Sequence, residues 1–471
     1  YSVCSRIDPV ALVRRVVAKG LQGVLLTEHH YQWGPDEIAV LRREAGVDKN
    51  FLILAAQEVS VSKFGHMLVC GAPESIQDTY TLEELHRRYP QAAFIWAHPF
   101  RNGNLPAPRK LMHPLVDAVE IFSLNQSIEE NYRGLQAWHA HKFSAISGSD
   151  AHSSEMTAVF PTIFDHPFRT VTEMAEEVKA GRCRPFFKEI PKTGSNVTVT
   201  EITIGVKGAD ETRSRIIVRN YEDDKKWRKE RETFAINKAI YDAGFNAGEF
   251  RVPKIIRENA EDRMVIEEGQ RGKSLYTLLE RVNPEIGKKY FSLAARWLSR
   301  LHSLDLAVTD VQSARVKERK RLASYFRHFE STRNPFLETA RKAVSFLETF
   351  EKRRLKDSRQ LIQNHGDYHP KNIIIGQDRM QDVSTLFISV IDFGSSLRMP
   401  PAFDVGYFLA QMQMQFYDRP RLLDYYTEEV FLRAYRGQTA QRGAAGGFER
   451  LQQEIPIFKM RAFFEYCLLS D

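Results

Sequence analysis

Two short segments constrain this chain most: His365-Gly366-Asp367-Tyr368-His369-Pro370-Lys371-Asn372 and, downstream, Ile391-Asp392-Phe393-Gly394. The first sets a carboxylate five residues before a carboxamide. The second places another carboxylate at the end of a hydrophobic strand. Phosphoryl transfer from a nucleotide needs such a trio. One carboxylate orients or deprotonates the acceptor hydroxyl, while an amide and a second carboxylate hold Mg²⁺ on the β- and γ-phosphates. Asp367 is the candidate for the first role, Asn372 and Asp392 for the second.

With 471 residues the chain has room for about two to four domains with sizeable cores. A hydrophobic share of 43% against 27% charged residues reads as an ordinary soluble globular protein. No apolar run approaches the roughly 20 residues needed to span a bilayer, and no secretory segment opens the sequence. Cys4, Cys70, Cys183 and Cys467 are scattered and form no Cys-x-x-Cys pair, so they read as reduced thiols of a cytoplasmic protein. The net charge of +7 favours phosphorylated or nucleic-acid ligands only weakly, because much of the surplus lies in helical runs that read as solvated faces. These are Lys317-Glu318-Arg319-Lys320-Arg321 and Lys352-Arg353-Arg354.

Between Arg184 and Thr200 the chain carries two prolines, a Gly-Ser pair and no helical period, the composition of a linker. The expected organisation is therefore a domain over residues 1–185, a linker over 186–200 and a domain over 201–471. The first domain alternates amphipathic helices with apolar strands, the pattern of a parallel α/β fold. Pro9 to Ala18 reads as a helix. Gly23 to Leu26, Phe51 to Ala55, His66 to Cys70, Ala93 to Trp96, Ala118 to Phe122 and Ser144 to Ile146 read as strands. Ionisable residues gather at or near their ends, and the C-terminal rim of parallel-strand barrels is where catalytic groups collect. The second domain opens with strand-like segments at Thr200 to Val206 and Arg215 to Asn220, then a long helix across Asp223 to Ala243 and a strand at Met264 to Glu268. From about Ser274 it is mainly helical, an α+β composition.

In the first domain, Thr27-Glu28-His29, Gln57-Glu58-Val59, Gly65-His66-Met67-Leu68, Ala97-His98-Pro99-Phe100 and Gly148-Ser149-Asp150-Ala151-His152 follow in order at domain-scale spacing. Together they resemble the PHP family (polymerase and histidinol phosphatase). That resemblance implies a distorted (β/α) barrel holding two or three metal ions for phosphoester hydrolysis. By it, His29, Glu58, His66, His98, Asp150 and His152 are the metal ligands, and Glu120 orients them from behind. Histidine ligands favour Zn²⁺, Mn²⁺ or Fe²⁺ over Mg²⁺. The family's opening strand, ending in His-x-His, would come just before Tyr1-Ser2-Val3-Cys4-Ser5, and the abrupt start leads us to expect a truncated N-terminus. Ser2 and Cys4 stand where the family often has a further acidic or His ligand.

In the second domain the Asp367-to-Asn372 spacing equals that of the protein-kinase catalytic loop. With Val390-Ile391-Asp392-Phe393-Gly394, Phe403-Asp404-Val405-Gly406 and Leu301-His302, the segment resembles the aminoglycoside phosphotransferase and choline kinase family. The implied fold is a two-lobed kinase-like one, with ATP and Mg²⁺ as cofactors. Carried over, Asp367 is the catalytic base, Asn372 and Asp392 are metal ligands, and Asp404 braces the loop. His369 either packs the loop or takes part directly. Arg219 stands where a nucleotide-clamping Lys is usual, with Glu232 expected as its helix partner and Glu230 as the alternative. The phosphate loop would be Gly205 to Asp210, and Glu267-Glu268-Gly269 would meet adenine through its backbone. The acceptor would lie against Tyr407, Phe408, Met412, Met414, Phe416 and Tyr417.

The leading expectation is a bifunctional enzyme joining metal-dependent phosphoester hydrolysis to ATP-dependent phosphoryl transfer onto a small-molecule hydroxyl. Its partners would be that acceptor and a phosphoester, with no membrane. The alternatives are a nucleic-acid end-processing kinase and phosphatase, a kinase regulated by a non-hydrolytic PHP sensor, and a protein kinase or pseudokinase.

Overall fold

A computed structural model describes residues 4–153, 156–194, 197–204, 214–356, 360–379, 382–439 and 445–466. The chain divides into two compact units, residues 1–192 with 199–218, and residues 193–198 with 219–471. No helix among the described residues is long and apolar enough to cross a membrane.

The first unit opens with the helix Pro9–Ala18, for which Asp8 accepts from the Val10 and Ala11 N–H groups and Pro9 sits in the first turn. Val13 and Val16, three residues apart, bury its inner stripe. Six strands follow: β1 (Gly23–His29), β2 (Leu52–Val61), β3 (Gly65–Cys70), β4 (Ala93–Trp96), β5 (Ala118–Phe122) and β6 (Ala145–Ser147). They form one sheet in that order. β1 and β2 are parallel, as are β4, β5 and β6, whereas β3 runs antiparallel to both of its neighbours.

This corrects the expected barrel of parallel strands. Only residues 62–64 separate β2 from β3, with Lys63 at φ 68° in the turn. A parallel return needs a crossover of about a dozen residues or more, so the pair must form a hairpin. Among the described residues β1 and β6 are the outer strands and the sheet is open. The reversal has a chemical consequence. His66, second in β3, lies opposite Ser60 of β2, two residues from Glu58, and Glu58 itself lies beside His29 of β1.

Residues 186–200, expected as a linker, are instead strands Phe187–Gly194 and Val197–Ile204. The β-branched run Val197-Thr198-Val199-Thr200 explains the second. Pro191 is tolerated in the first because that strand lies at the sheet's edge. They belong to a five-stranded sheet with Ser214–Tyr221, Met264–Glu268 and Ile255–Asn259.

In the second unit the strands Ile373–Gln377 and Leu386–Val390 form an antiparallel pair whose register sets Ile373 opposite Val390. The rest is largely helical, including Pro284–His302, Val311–Ser331, Leu337–Arg354, Ala402–Gln415 and Ala445–Tyr466. Their core is aromatic: Phe408 stacks on Phe431 at 4.6 Å, and Trp297 stacks on Tyr368 at 5.6 Å. In the charged run over 317–321, Lys317, Arg319 and Lys320 are exposed, as expected of a solvated face, but Glu318 is not. Glu318 is fully buried and accepts from Arg461 Nε at 2.6 Å and Arg321 Nη1 at 3.0 Å.

Glu351 is buried near the same group. Burial, then the Glu318 charge, pushes its carboxyl up to about 8. Between the ordinary glutamate value of 4.5 and about 8 the folded chain therefore binds a proton that the unfolded chain has released. Stability from this group is complete below the lower value and is lost as pH rises towards and through the upper one, by at most about 1.4 kcal/mol per pH unit. Glu351→Gln removes that slope. Urea unfolding between pH 5 and 9 should show the unaltered chain losing stability more steeply than the variant.

Candidate active site

The catalytic segment is organised by Asp404, on the helix Ala402–Gln415. Its fully buried carboxylate accepts from the backbone N–H of His365 at 2.7 Å and of Gly366 at 2.9 Å. His302, the last residue of its helix, lies 3.2 Å away through Nε2, and its Nδ1 is 2.8 Å from the Tyr435 hydroxyl. Gly366 has φ 85° and presses against the Ser395 backbone so closely that a Cβ could not fit.

His365 then joins the two segments that the sequence sets apart. Its Nδ1 accepts from the Asp367 N–H at 3.2 Å, and its Nε2 faces the Ile391 carbonyl at 3.0 Å. Those two bonds require a neutral ring with the proton on Nε2. Burial agrees: it drives the His365 pKa down, against the nearby charges of Asp404, Asp367 and Asp392.

Strand register completes the convergence. With Ile373 opposite Val390, the Ile391 N–H donates to the Asn372 carbonyl at 3.0 Å, bringing the two metal-ligand candidates side by side. Asn372 Nδ2 lies 3.1 Å from the Asp367 carbonyl oxygen and 3.3 Å from Asp367 Oδ2. Asp392 is exposed at φ 69°, a left-handed conformation rare for a non-glycine residue. Burial alone would raise the Asp367 pKa. Hydrogen bonding and charge from His369 and the hydrogen bond from the Tyr407 hydroxyl outweigh it and hold the carboxyl at about 2. His369 Nε2 stands 3.6 Å from Asp367 Oδ1, and its Nδ1 accepts from the Lys371 N–H, so it both packs the loop and faces the carboxylate.

On the nucleotide side the expected pairing is corrected. Arg219 binds Glu267 Oε1 through Nε at 3.0 Å and Nη2 at 2.8 Å. Glu232 is exposed on its helix, whereas Glu230, on the inward turn, feels the charges of both Arg219 and Asp392. Two residues along a helix swing a side chain by about 200°, so only one of the two can face the cleft. Gly269 is buried just past the strand Met264–Glu268, and Gly205 to Asp210 lies outside the described residues.

Of the aromatic and Met residues expected to line the acceptor pocket, Phe408, Met412, Met414 and Phe416 are core and Tyr417 is exposed. Tyr407 alone reaches the chemistry, donating its hydroxyl to Asp367 Oδ1 at 2.8 Å. Its position three residues after Asp404, one helical turn from the brace, was the available signal.

In the first unit the six expected ligands form one contiguous cluster. Glu58 is its centre, 2.6 Å from His66 Nδ1, 3.2 Å from His98 Nε2 and 3.7 Å from His29 Nδ1. Asp150 lies 4.0 Å from His98 and 3.7 Å from His152. Burial would raise the Glu58 pKa, but hydrogen bonds from His66 and His98 and the charges of His66 and His29 hold it well below the carboxylate range. Glu120 differs. Burial and the Asp150 charge push its carboxyl well up, although it accepts the His98 N–H at 2.9 Å. Asn125, which the sequence did not flag, donates to Asp150 and lies 3.3 Å from His152 Nδ1.

Two groups of ligand atoms, Glu58 with His66 and His98, and Cys4 with His29 and His152, each lie within 4.8 Å of one another. Imidazole, carboxylate and thiol donors at that spacing fit divalent transition ions. A cavity of about 1320 Å³ opens beside the cluster, walled by apolar residues of β1 and β6 such as Leu25 and Ile146.

The braced catalytic loop, its bridging imidazole and the adjoining metal-ligand hairpin define a kinase-like phosphotransferase fold in the second unit. The model of the phosphotransferase enzyme family (APH) matches residues 206–440, and this C-terminal part of the chain belongs to that family. A PHP-associated family model matches residues 129–183. Among solved structures the chain is similar to an ethanolamine kinase of Plasmodium vivax (20% identity, TM-score 0.41, 60% of this chain and 75% of that one). It is also similar to an aminoglycoside-3'-phosphotransferase of type VIII (16% identity, TM-score 0.38, 58% and 94%). A third is a macrolide 2'-phosphotransferase from Brachybacterium faecium (15% identity, TM-score 0.34, 60% and 87%). No curated protein among those compared matches it.

Tyr407→Phe tests the new contact. Removing a donor from the ionised carboxylate raises the Asp367 pKa, so less of the base form is present at low pH. The acid limb of the pH profile for ATP turnover should move to higher pH, with the alkaline limb unchanged.

Proposed function

We propose that the chain is a bifunctional enzyme in which an ATP- and Mg²⁺-dependent small-molecule kinase over residues 201–471 is joined to a metal-dependent phosphoesterase over residues 1–185. The observation that carries the kinase reading is the convergence of Asp367, Asn372 and Asp392 around the His365 ring. In this reading Asp367, ionised at neutral pH, accepts the proton of the acceptor hydroxyl. Asn372 and Asp392 hold Mg²⁺, which neutralises phosphate charge when bound. Arg219 with Glu267, and Glu230 beside them, border the phosphate side, while Gly269 and the backbone near it meet adenine. Similarity to kinases of small alcohols and antibiotics supports a small-molecule acceptor over a protein.

The phosphoesterase reading rests on the cluster centred on Glu58. Zn²⁺, Mn²⁺ or Fe²⁺ bound there would lower the pKa of a water enough to supply hydroxide near neutral pH. Glu120, whose carboxyl burial pushes well up, keeps the His98 backbone in place from behind the cluster. A cytoplasmic setting suits both activities.

Screening metabolite pools for ATP-dependent phosphorylation identifies the acceptor. Asp367→Asn should then lower transfer by about 10²–10⁴-fold, the usual worth of a general base. Transfer that survives the substitution would remove Asp367 from the mechanism. For the first unit, metal analysis of the full chain should find tightly held transition metal and turnover of p-nitrophenyl phosphate. Both should fall in His98→Ala and Asp150→Ala. A metal-free, inert first unit would sink the phosphoesterase reading and leave the kinase standing.

A further inference from the structure

Arg461 lies on the helix Ala445–Tyr466, beyond the residues that the family model matches, and is 1% exposed. A guanidinium so deeply buried is costly unless its contacts specify something. Its Nε donates to Glu318 Oε2 at 2.6 Å. The other oxygen of Glu318 accepts from Arg321 Nη1 at 3.0 Å, and Arg321 Nη2 reaches Ser395 Oγ at 3.1 Å. Ser395 is the third residue after Asp392 and packs its carbonyl on Gly366. The Arg461 guanidinium also lies 4.7 Å from the centre of the Phe403 ring, next in sequence to the bracing Asp404. One buried cation is thus linked to the Asp392 loop through an ion-pair relay, and it packs on a ring of the helix that carries Asp404.

The Asp392 loop needs such support. Asp392 has φ 69°, and the Gly394 N–H reaches its Oδ1 only at 3.4 Å. Phe393 is anchored against the His365 ring at 4.6 Å, and Ser396 Oγ is held by Gln363 and the Asn364 carbonyl. Between these anchors, Arg321 holds Ser395 from the outside. With Glu351 neutral at neutral pH, the two guanidiniums share the single carboxylate of Glu318, one on each of its oxygens.

We infer that Arg461, Glu318 and Arg321 are positioning residues that set the Asp392 loop, through Ser395, for the metal ion of the nucleotide complex. The inference rests on the phosphotransferase reading of the second unit. A buried Arg–Glu–Arg triad is weak evidence of stabilisation, since apolar replacements are often as stable. Its fit here is as a device of geometry, and the two roles separate experimentally.

The experiment is calorimetric titration of Mn²⁺ into the full chain saturated with a non-hydrolysable ATP analogue, for Ser395→Ala, Arg321→Met and Arg461→Met. Mn²⁺ affinity should fall about tenfold or more, the usual cost of losing a residue that orients a metal ligand. Analogue affinity without metal, and the thermal midpoint of Ser395→Ala, should not change. Unaltered Mn²⁺ affinity in Ser395→Ala and Arg321→Met overturns the inference, whatever happens to the midpoints. Should Arg461→Met fail to fold, those two variants decide. If the unaltered chain binds no Mn²⁺ with the analogue, the nucleotide reading itself falls, which is a distinct result.

Discussion

Everything in the second unit hangs on one buried carboxylate. Asp404 has no access to water, and an ion in that position is tolerable only if its oxygens are satisfied by donors. It has three, the N–H groups of His365 and Gly366 and the His302 ring. Two of them are successive backbone groups of the catalytic segment, so satisfying the charge also dictates the loop's conformation. Once that loop is fixed, His365 has one place to be, and its ring ties Asp367 to the residue before Asp392. Geometry at Asp367 thus follows from a solvation requirement 37 residues away in sequence.

Both candidate sites set their key carboxylates by the same contest between burial and hydrogen bonding. At Asp367 and Glu58, burial alone would favour the neutral acid, but histidines close enough to donate hold each as an anion. At Glu120 and Glu351 the donors are too few, and burial wins. The outcome is ordered in space. Asp367 and Glu58 stand where a hydroxyl proton or a metal would bind, whereas Glu120 holds the His98 backbone and Glu351 lies beside Glu318.

The sequence carried much of this because short-range spacing maps directly onto local geometry. The helix Pro9–Ala18 and the strands Ala93–Trp96 and Ala118–Phe122 follow from apolar period alone. The catalytic trio was legible because its residues lie in the two short segments that flank a single hairpin. What was hidden depends on pairing or on which way a helix faces. The direction of β3 is set by a three-residue turn rather than by its own composition. Glu232 and Glu230 differ only in helical phase, and both are acids in a charged run. Glu318 looks like any solvated glutamate until a helix more than a hundred residues later delivers Arg461 to it. Val197 to Thr200 sits among linker-like prolines, and its β-branched alternation was outweighed by them.

Of the ten non-glycine residues with positive φ among the described residues, three fall among the proposed metal ligands. His98, Asp150 and Asp392 all have positive φ, at 30°, 43° and 69°, although none is glycine. Such conformations cost on the order of 1–3 kcal/mol and persist only where surrounding contacts over-determine them. Those contacts are visible in each case. The His98 N–H is held by Glu120, the Asp150 side chain and carbonyl are held by Asn125, and Asp392 precedes a phenylalanine buried against His365. Relaxing any of them to an extended backbone would turn the side chain away from its neighbours. In all three the strained residue is a proposed metal ligand, and the residue that holds it is not. The fold therefore separates binding from bracing, which lets a ligand be lost without collapse and a brace be lost without removing a donor atom.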